Sequence, residues 1–179
     1  MQYLGLAFAS PVRSSSISGI QRHVCVALGS NRGPRHGHLR HAVARLRNIL
    51  TELHVSSFLE TVPEGIVEQP DFLNGVVTGW SSAEPELILE QLQEIEVERG
   101  RERPFPGAPR TLDLDLILVG DLIVNTPKIV LPHPRFRIRR FVLEPLAEVA
   151  PELVDPVSSR TIKELLTQLP SLEPSHVDQ

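Results

Sequence analysis

An α+β chain, a sheet with helices packed on it, is the fold class this sequence predicts, and three observations predict it. Short apolar or alternating runs at 24–28, 55–61, 72–80 and 112–119 read as strands, because side chains in a strand repeat with period two. Between them, apolar residues at helical spacing recur over 37–50 and 85–100. No glycine-rich dinucleotide fingerprint accompanies the strands, as it would in a doubly wound parallel sheet.

The elements follow in order. Residues 24–28 form a continuously apolar strand that ends in the loop Gly29-Ser30-Asn31-Arg32-Gly33-Pro34. That loop lacks the Gly-Lys-Ser/Thr ending of a P-loop. Leu39, Ala42, Val43, Leu46, Ile49 and Leu50 mark an amphipathic helix over 37–50, with His36, His38 and His41 expected at its solvated start. A second strand is expected over 55–61, then a loop over 62–71 that is too long for a hairpin and suits binding. The third strand, 72–80, puts Phe72, Asn74 and Val76 on one face, with Trp80 expected to pack. Pro85 opens the second helix, Ile88, Leu92 and Ile95 form its stripe, and Gly100 ends it. Gln93 and Glu96 read as its wet flank.

Residues 100–109 hold three Pro and two Gly, so they cannot continue the helix and form a basic loop carrying Arg101 and Arg103. The strand beyond it alternates Leu112, Leu114 and Leu116 with Asp113 and Asp115. Short extended runs follow at 122–124 and 129–131, then the cation-dense stretch 132–141. There Arg139 and Phe141 would share a face if the chain were extended. Helical spacing resumes over 144–154 and 162–169.

Composition narrows the function classes. A length of 179 residues, 41% hydrophobic and 22% charged, suits one globular domain, expected over 22–169 between a loosely ordered extension at 1–21 and a tail at 170–179. The net charge of −4 argues against a general nucleic-acid or anionic-membrane binder. The lone Cys25 sits in an apolar run and reads as a buried, inert thiol. No apolar run reaches membrane-spanning length and no Lys or Arg precedes the apolar start, so cytoplasm is the expected location.

The stretch Arg110-Thr111-Leu112-Asp113-Leu114-Asp115 bears the chemistry. Carboxylates two apart on a strand lie roughly 6.5–7 Å from each other on one face, where they repel unless a cation lies between them. Mg²⁺ is bound by one or two carboxylates plus substrate phosphates, and guanidinium groups grip phosphate oxygens. Asp113 and Asp115 beside Arg101, Arg103 and Arg110 therefore suggest a metal–polyphosphate site; the competing reading is a solvated strand face.

Taken together, Ala27-Leu28-Gly29-Ser30-Asn31, Gln69-Pro70-Asp71-Phe72-Leu73-Asn74 and Ala108-Pro109-Arg110-Thr111-Leu112-Asp113-Leu114-Asp115 resemble the 6-hydroxymethyl-7,8-dihydropterin pyrophosphokinase family. Pro132-His133-Pro134-Arg135 and Arg139-Arg140-Phe141-Val142-Leu143-Glu144-Pro145-Leu146 extend the match, which runs from about residue 22 to residue 157. The resemblance implies a ferredoxin-like, three-layer α/β/α fold with an antiparallel or mixed sheet. It implies transfer of the pyrophosphoryl group of MgATP to the pterin's hydroxymethyl oxygen, a step of folate biosynthesis. It further implies that Asp113 and Asp115 hold two Mg²⁺ ions and, with Arg101 and Arg110, form the catalytic set. Gln93, Glu96, Arg101, Arg103, Arg110, Lys128, His133 and Arg139 would line ATP. Thr61, Val62, Glu64, Phe72, Asn74 and Phe141 would bind the pterin, Phe72 and Phe141 sandwiching its ring. The sequence departs from the family pattern at Gly107, where Trp is common, and at Val130, where a hydroxyl is found. Two other classes are set against this one: a non-catalytic ferredoxin-like nucleotide-binding module and a Mg²⁺-dependent phosphohydrolase.

Overall fold

The computed structural model describes residues 19–63, 69–101 and 108–170. Most of the expected extension and nearly all of the tail lie outside the described residues, as do Glu64 and Arg103.

Strand β1 (Arg22–Ser30) is apolar along its length because it is covered on both sides: Val24, Val26 and Leu28 face one layer, Cys25 and Ala27 the other. It pairs antiparallel with β4 (Phe72–Ser81) and with β5 (Asp113–Val119). β2 (Thr51–Val55) and β3 (Leu59–Thr61) both pair antiparallel with the far side of β4, giving the order β2-β4-β1-β5. With helix α1 (Arg35–Leu46) after β1 and α2 (Pro85–Glu98) after β4, the chain traces β-α-β-β-α-β, the ferredoxin-like arrangement, with its second strand in two pieces. Every pairing in the sheet is antiparallel.

Leu39, Ala42 and Leu46 of α1 and Ile88, Leu92 and Ile95 of α2 bury their stripes on the Val24/Val26/Leu28 face. On the opposite face lie α3 (Arg140–Val149) and α4 (Ile162–Gln168), whose Val142, Leu143, Leu146, Ile162 and Leu165 pack with Cys25, Ala27, Val76, Ile117 and Phe136. Each such aliphatic side chain, fully buried, stabilises by roughly 2 kcal/mol. Between β5 and α3 run a small hairpin, β6 (Val124–Asn125) and β7 (Val130–Leu131), a cis Leu131–Pro132 peptide and a 3-10 turn at Phe136–Ile138.

Several local expectations are corrected. The first helix covers Arg35–Leu46 rather than 37–50: a turn follows, and Leu50 is buried as the chain enters β2. The strand expected at 55–61 spans a break instead: only Val55, the end of β2, and Leu59–Thr61 (β3) are strand. At Ser56 the hydroxyl takes the place of a ladder carbonyl by accepting the Val76 N–H (2.9 Å), while the Ser56 N–H bonds Val76 O (3.0 Å). The helix expected at 144–154 is Arg140–Val149, so Phe141 sits in its first turn and the extended reading of 139–141 fails beyond Arg139. His38 is buried rather than solvated, accepting from Arg99 Nε through Nδ1 at 2.9 Å. Trp80 is 39% exposed and lies beside the His23 ring, centroids 5.0 Å apart, instead of packing in the core. Glu96, expected on a wet flank, is 4% exposed, because α2 lays it against the edge of β5.

Candidate active site

The alternation of 112–116 does what period two requires: Leu112, Leu114 and Leu116 enter the α1/α2 core, while Asp113 and Asp115 face the α3 side. The alternation ends at Ile117, an extra residue in the register against β1, after which Ile117 and Leu118 both enter the α3/α4 core. Register then sets the site. Gly29 on β1 is the partner of both Asp113 on β5 and Asn74 on β4, so an acid, a bare glycine and an amide form one row across three strands. A Cβ at residue 29 would stand 2.9 Å from Asn74 Oδ1 and 3.9 Å from Asp113 Cβ, so glycine keeps the floor of the row open.

Above this row lies a cleft of about 340 Å³, lined by Phe72, Asn74, Arg110, Asp113, Asp115, Arg135, Arg139 and Phe141 among others. Thr61 and Val62 form part of its rim, and the Thr61 hydroxyl accepts from Asn74 Nδ2 at 2.6 Å. Phe72 reaches the cleft from the start of β4 and Phe141 from the first turn of α3, two aromatic rings brought together from well-separated parts of the chain.

The charges are tightly organised. Arg101 bridges Glu96 and Asp113, reaching Asp113 Oδ1 at 2.5 Å, and Arg110 pairs with the other oxygen of Asp113. Glu96 also accepts the Leu114 N–H at 2.7 Å, satisfying the outer edge of β5. Asp115 lies open to the cleft, with Arg139 at 3.5 Å. Burial, and then repulsion from Asp113, raise its carboxyl above the usual range, with His133, Arg139 and Arg110 opposing. Burial lowers His133, against the pull of Asp115. Two carboxylates offering oxygen donors on one face match the donor set of Mg²⁺; among the described residues no cluster of three metal-ligating side chains exists, so further ligands would come from substrate and water.

Of the residues singled out from sequence, Arg110, Asp113, Asp115, Arg139, Thr61, Val62, Phe72, Asn74 and Phe141 meet at this cleft. Arg101 and Glu96 sit behind Asp113, and His133 is close enough to Asp115 to shift it. Gln93 stands exposed on α2 and Lys128 exposed in the β6–β7 turn, neither in the cleft wall. Three contributors were named from sequence only as parts of motif segments, with no role given. Gly29 supplies the open floor, and Arg135 joins the wall. Asn31, 1% exposed, clamps two loop roots: its Oδ1 accepts Arg110 N–H at 2.7 Å, and its Nδ2 donates to Gln69 Oε1 at 3.1 Å. The advance signal for Asn31 was its place at the end of the motif Ala27-Leu28-Gly29-Ser30-Asn31.

With the cleft in view, comparison with known proteins becomes informative. The model of the family described as 7,8-dihydro-6-hydroxymethylpterin-pyrophosphokinase (HPPK) matches residues 25–151. The chain belongs to the HPPK family. Among its relatives, the 2-amino-4-hydroxy-6-hydroxymethyldihydropteridine pyrophosphokinase of Synechocystis sp. is 42% identical over 146 residues, 80% of this chain and 74% of its own. That of Bacillus subtilis is 44% identical over 130 residues, 72% of this chain and 78% of its own. A crystal structure of Plasmodium falciparum HPPK-DHPS superposes with a TM-score of 0.68 at 14% identity, covering 85% of this chain but 44% of that one. This last likeness bears on the fold alone, and it agrees that HPPK strands and helices take the ferredoxin-like order described above. No helix among the described residues is long and apolar enough to cross a membrane.

Proposed function

We propose that this HPPK chain transfers the pyrophosphoryl group of ATP to the hydroxymethyl oxygen of 6-hydroxymethyl-7,8-dihydropterin, releasing AMP, and acts as a monomer on these small molecules. Family membership supports an ATP-dependent diphosphotransferase of folate biosynthesis. The observation that carries the residue-level reading is the row Asp113–Gly29–Asn74. Its ends are two inter-strand spacings apart, about 10 Å, a span suited to a flat bicyclic ring with a one-carbon arm.

In this reading Phe72 and Phe141 flank the ring, a geometry in which aromatic faces gain both burial and stacking. Asn74, its amide oriented by the Thr61 hydroxyl, meets the polar edge of the ring, with Val62 and Glu64 on the adjoining loop. The hydroxymethyl arm then points toward the acids. Its oxygen attacks the β-phosphorus and releases its proton to solvent, the bond from that phosphorus to the oxygen bridging to the α-phosphate breaks, and AMP leaves with that oxygen. Arg110 and Arg139 neutralise the phosphates, buried Glu96 and Arg101 hold Asp113 in place, and Arg103 and His133, with Gln93 and Lys128 from outside the cleft wall, serve the nucleotide side. Asp113 and Asp115 would hold two Mg²⁺ ions, which when bound offset phosphate charge.

One assay discriminates the classes: ATP and Mg²⁺ with and without the pterin alcohol, following AMP. Pterin-dependent AMP supports transfer, release without pterin supports a phosphohydrolase, and no release with nucleotide still bound supports a binding module. Asp113→Ala is expected to cut transfer by about 10³-fold or more while leaving the circular dichroism unchanged; full activity would retire the metal assignment.

A further inference from the structure

The segment 133–141 carries cleft residues on one side only. Arg135, Arg139 and Phe141 face the cleft, but Arg137, in the middle, points the other way. The segment's two ends are fixed by backbone bonds, His133 N–H to Ile117 O at 2.9 Å and the Val142 and Leu143 N–H groups to Arg139 O at 3.0 Å, but the turn between them is held only weakly by its own backbone. The turn at Phe136–Ile138 is three residues long, without a side-chain cap, and its bonds are long: Ile138 N–H to Arg135 O at 3.4 Å and Arg139 N–H to Phe136 O at 3.2 Å. Arg139 is no better fixed by its own head group. It reaches Asp115 only at 3.5 Å, and its Nε finds no acceptor among the described residues. Its guanidinium lies 5.5 Å from the Phe141 ring centroid.

What grips the turn is on the far side, where the Phe136 ring is buried in the α3/α4 core and Arg137 beside it finds a partner. Arg137 donates from Nε to Asp155 Oδ2 at 2.7 Å and from its terminal nitrogen to Oδ1 at 2.6 Å, a two-pronged pair, and its guanidinium covers the Phe136 ring at 4.7 Å. Asp155 is 0% exposed and sits in a receptor built in advance. Its carboxylate also accepts from Val157 N–H at 3.3 Å, Ser158 N–H at 3.1 Å and Ser158 Oγ at 2.5 Å. Its backbone closes the loop through Asp155 N–H to Arg160 O and Ser159 N–H to Asp155 O, both 2.8 Å. The Val154–Thr161 bridge and the Thr161–Glu164 capping box then anchor that loop to α4. A surface ion pair is worth little, but a buried, bidentate and fully satisfied carboxylate defines one position for its partner.

We propose that Asp155 is a positioning residue for pyrophosphoryl transfer: through Arg137 it holds the Phe136–Ile138 turn so that Arg139 stands opposite Asp115 in the cleft. The role is remote from the chemistry, and it ties the α4 end of the chain to the nucleotide side of the site. It rests on the reading of the cleft given above.

The test uses full-length protein and four variants: Asp155→Asn, Arg137→Lys, Arg137→Met, and the double variant Arg137→Met/Asp155→Asn. Each is assayed for pterin-dependent AMP formation at a temperature well below its unfolding midpoint. Asp155→Asn is expected to raise KM for MgATP about tenfold, with pterin affinity, read by fluorescence, held within about twofold. Arg137→Lys keeps the charge without the fork and falls between, and it carries the test should Asp155→Asn fail to fold. The double variant separates positioning from stability. With both charges gone, no buried ion is left unpaired, so its midpoint lies above that of Arg137→Met, while KM for MgATP stays raised. Recovery of both together, or a KM in Asp155→Asn and Arg137→Lys within twofold of the parent, overturns the role. A parent protein that forms no AMP with pterin present removes the reading of the cleft itself; an active parent with unchanged variants removes only Asp155.

Discussion

Glu96 offers a sharp test of how the acidic strand is supported. It is 4% exposed, pairs with Arg101 and accepts the Leu114 N–H at 2.7 Å. β5 is the edge strand beside β1, so that N–H has no strand partner on its outer side. Replacing Glu96 by Ala removes a charge-assisted hydrogen bond, worth about 1.5–3 kcal/mol, and leaves a buried donor unmet, at about 1–3 kcal/mol more. Two effects offset part of this: Arg101 keeps Asp113 as a partner, and the desolvated carboxylate is gone. The net expectation is a loss of roughly 3 kcal/mol, about 6–12 °C in midpoint for a chain of this size. Glu96→Gln keeps an acceptor for Leu114 and loses the ion pair alone, so it should cost only about 1 kcal/mol. Urea unfolding of the three proteins, followed by circular dichroism, gives both differences. If Glu96→Ala loses under 1 kcal/mol, or Glu96→Gln loses as much as Glu96→Ala, the carboxylate does not cap the strand and the reasoning fails.

Other consequences can be checked alongside. Because burial and Asp113 raise Asp115, ionising it destabilises the fold as pH climbs above the ordinary carboxylate range; Asp115→Asn should raise the thermal midpoint at pH 7 in EDTA while abolishing transfer, and a lower midpoint would contradict this. Gly29→Ala should leave the sheet intact but weaken pterin binding at least tenfold, since its Cβ would press on Asn74 Oδ1 at 2.9 Å; unchanged fluorescence titration with pterin would count against the open floor. For Asp155, burial alone would raise the carboxyl, but hydrogen bonds from Arg137, Ser158 and Val157 hold it at about 2, below the ordinary 3.8. Its contribution is therefore complete above about pH 4 and drains away as pH falls toward 2, and Asp155→Asn should flatten urea-measured stability across that window.

Much of the site was legible before any coordinates because its chemistry is local in the chain. Asp113 and Asp115 announce a shared face through period two, and Phe72 with Asn74 does the same on β4. Errors collected where a distant residue decides the outcome. Ser56 divides the second strand by bonding Val76, twenty residues on, and His38 is drawn inward by Arg99, just past the end of α2. Glu96 looks solvated on a helical wheel and is buried only because β5, eighteen residues later in sequence, lies beneath it.

Sequence by itself determined the element types, the paired acids and the two aromatics, since periodicity and short motifs are properties of neighbours along the chain. Only the tertiary structure decided that Gly29 is the open floor between Asp113 and Asn74, that Arg101 links Glu96 to Asp113, and that Arg137 turns its back on the cleft to meet Asp155. The physical reason is register: side chains far apart in sequence meet through strand pairing and helix docking, and nothing in either local stretch encodes the partner.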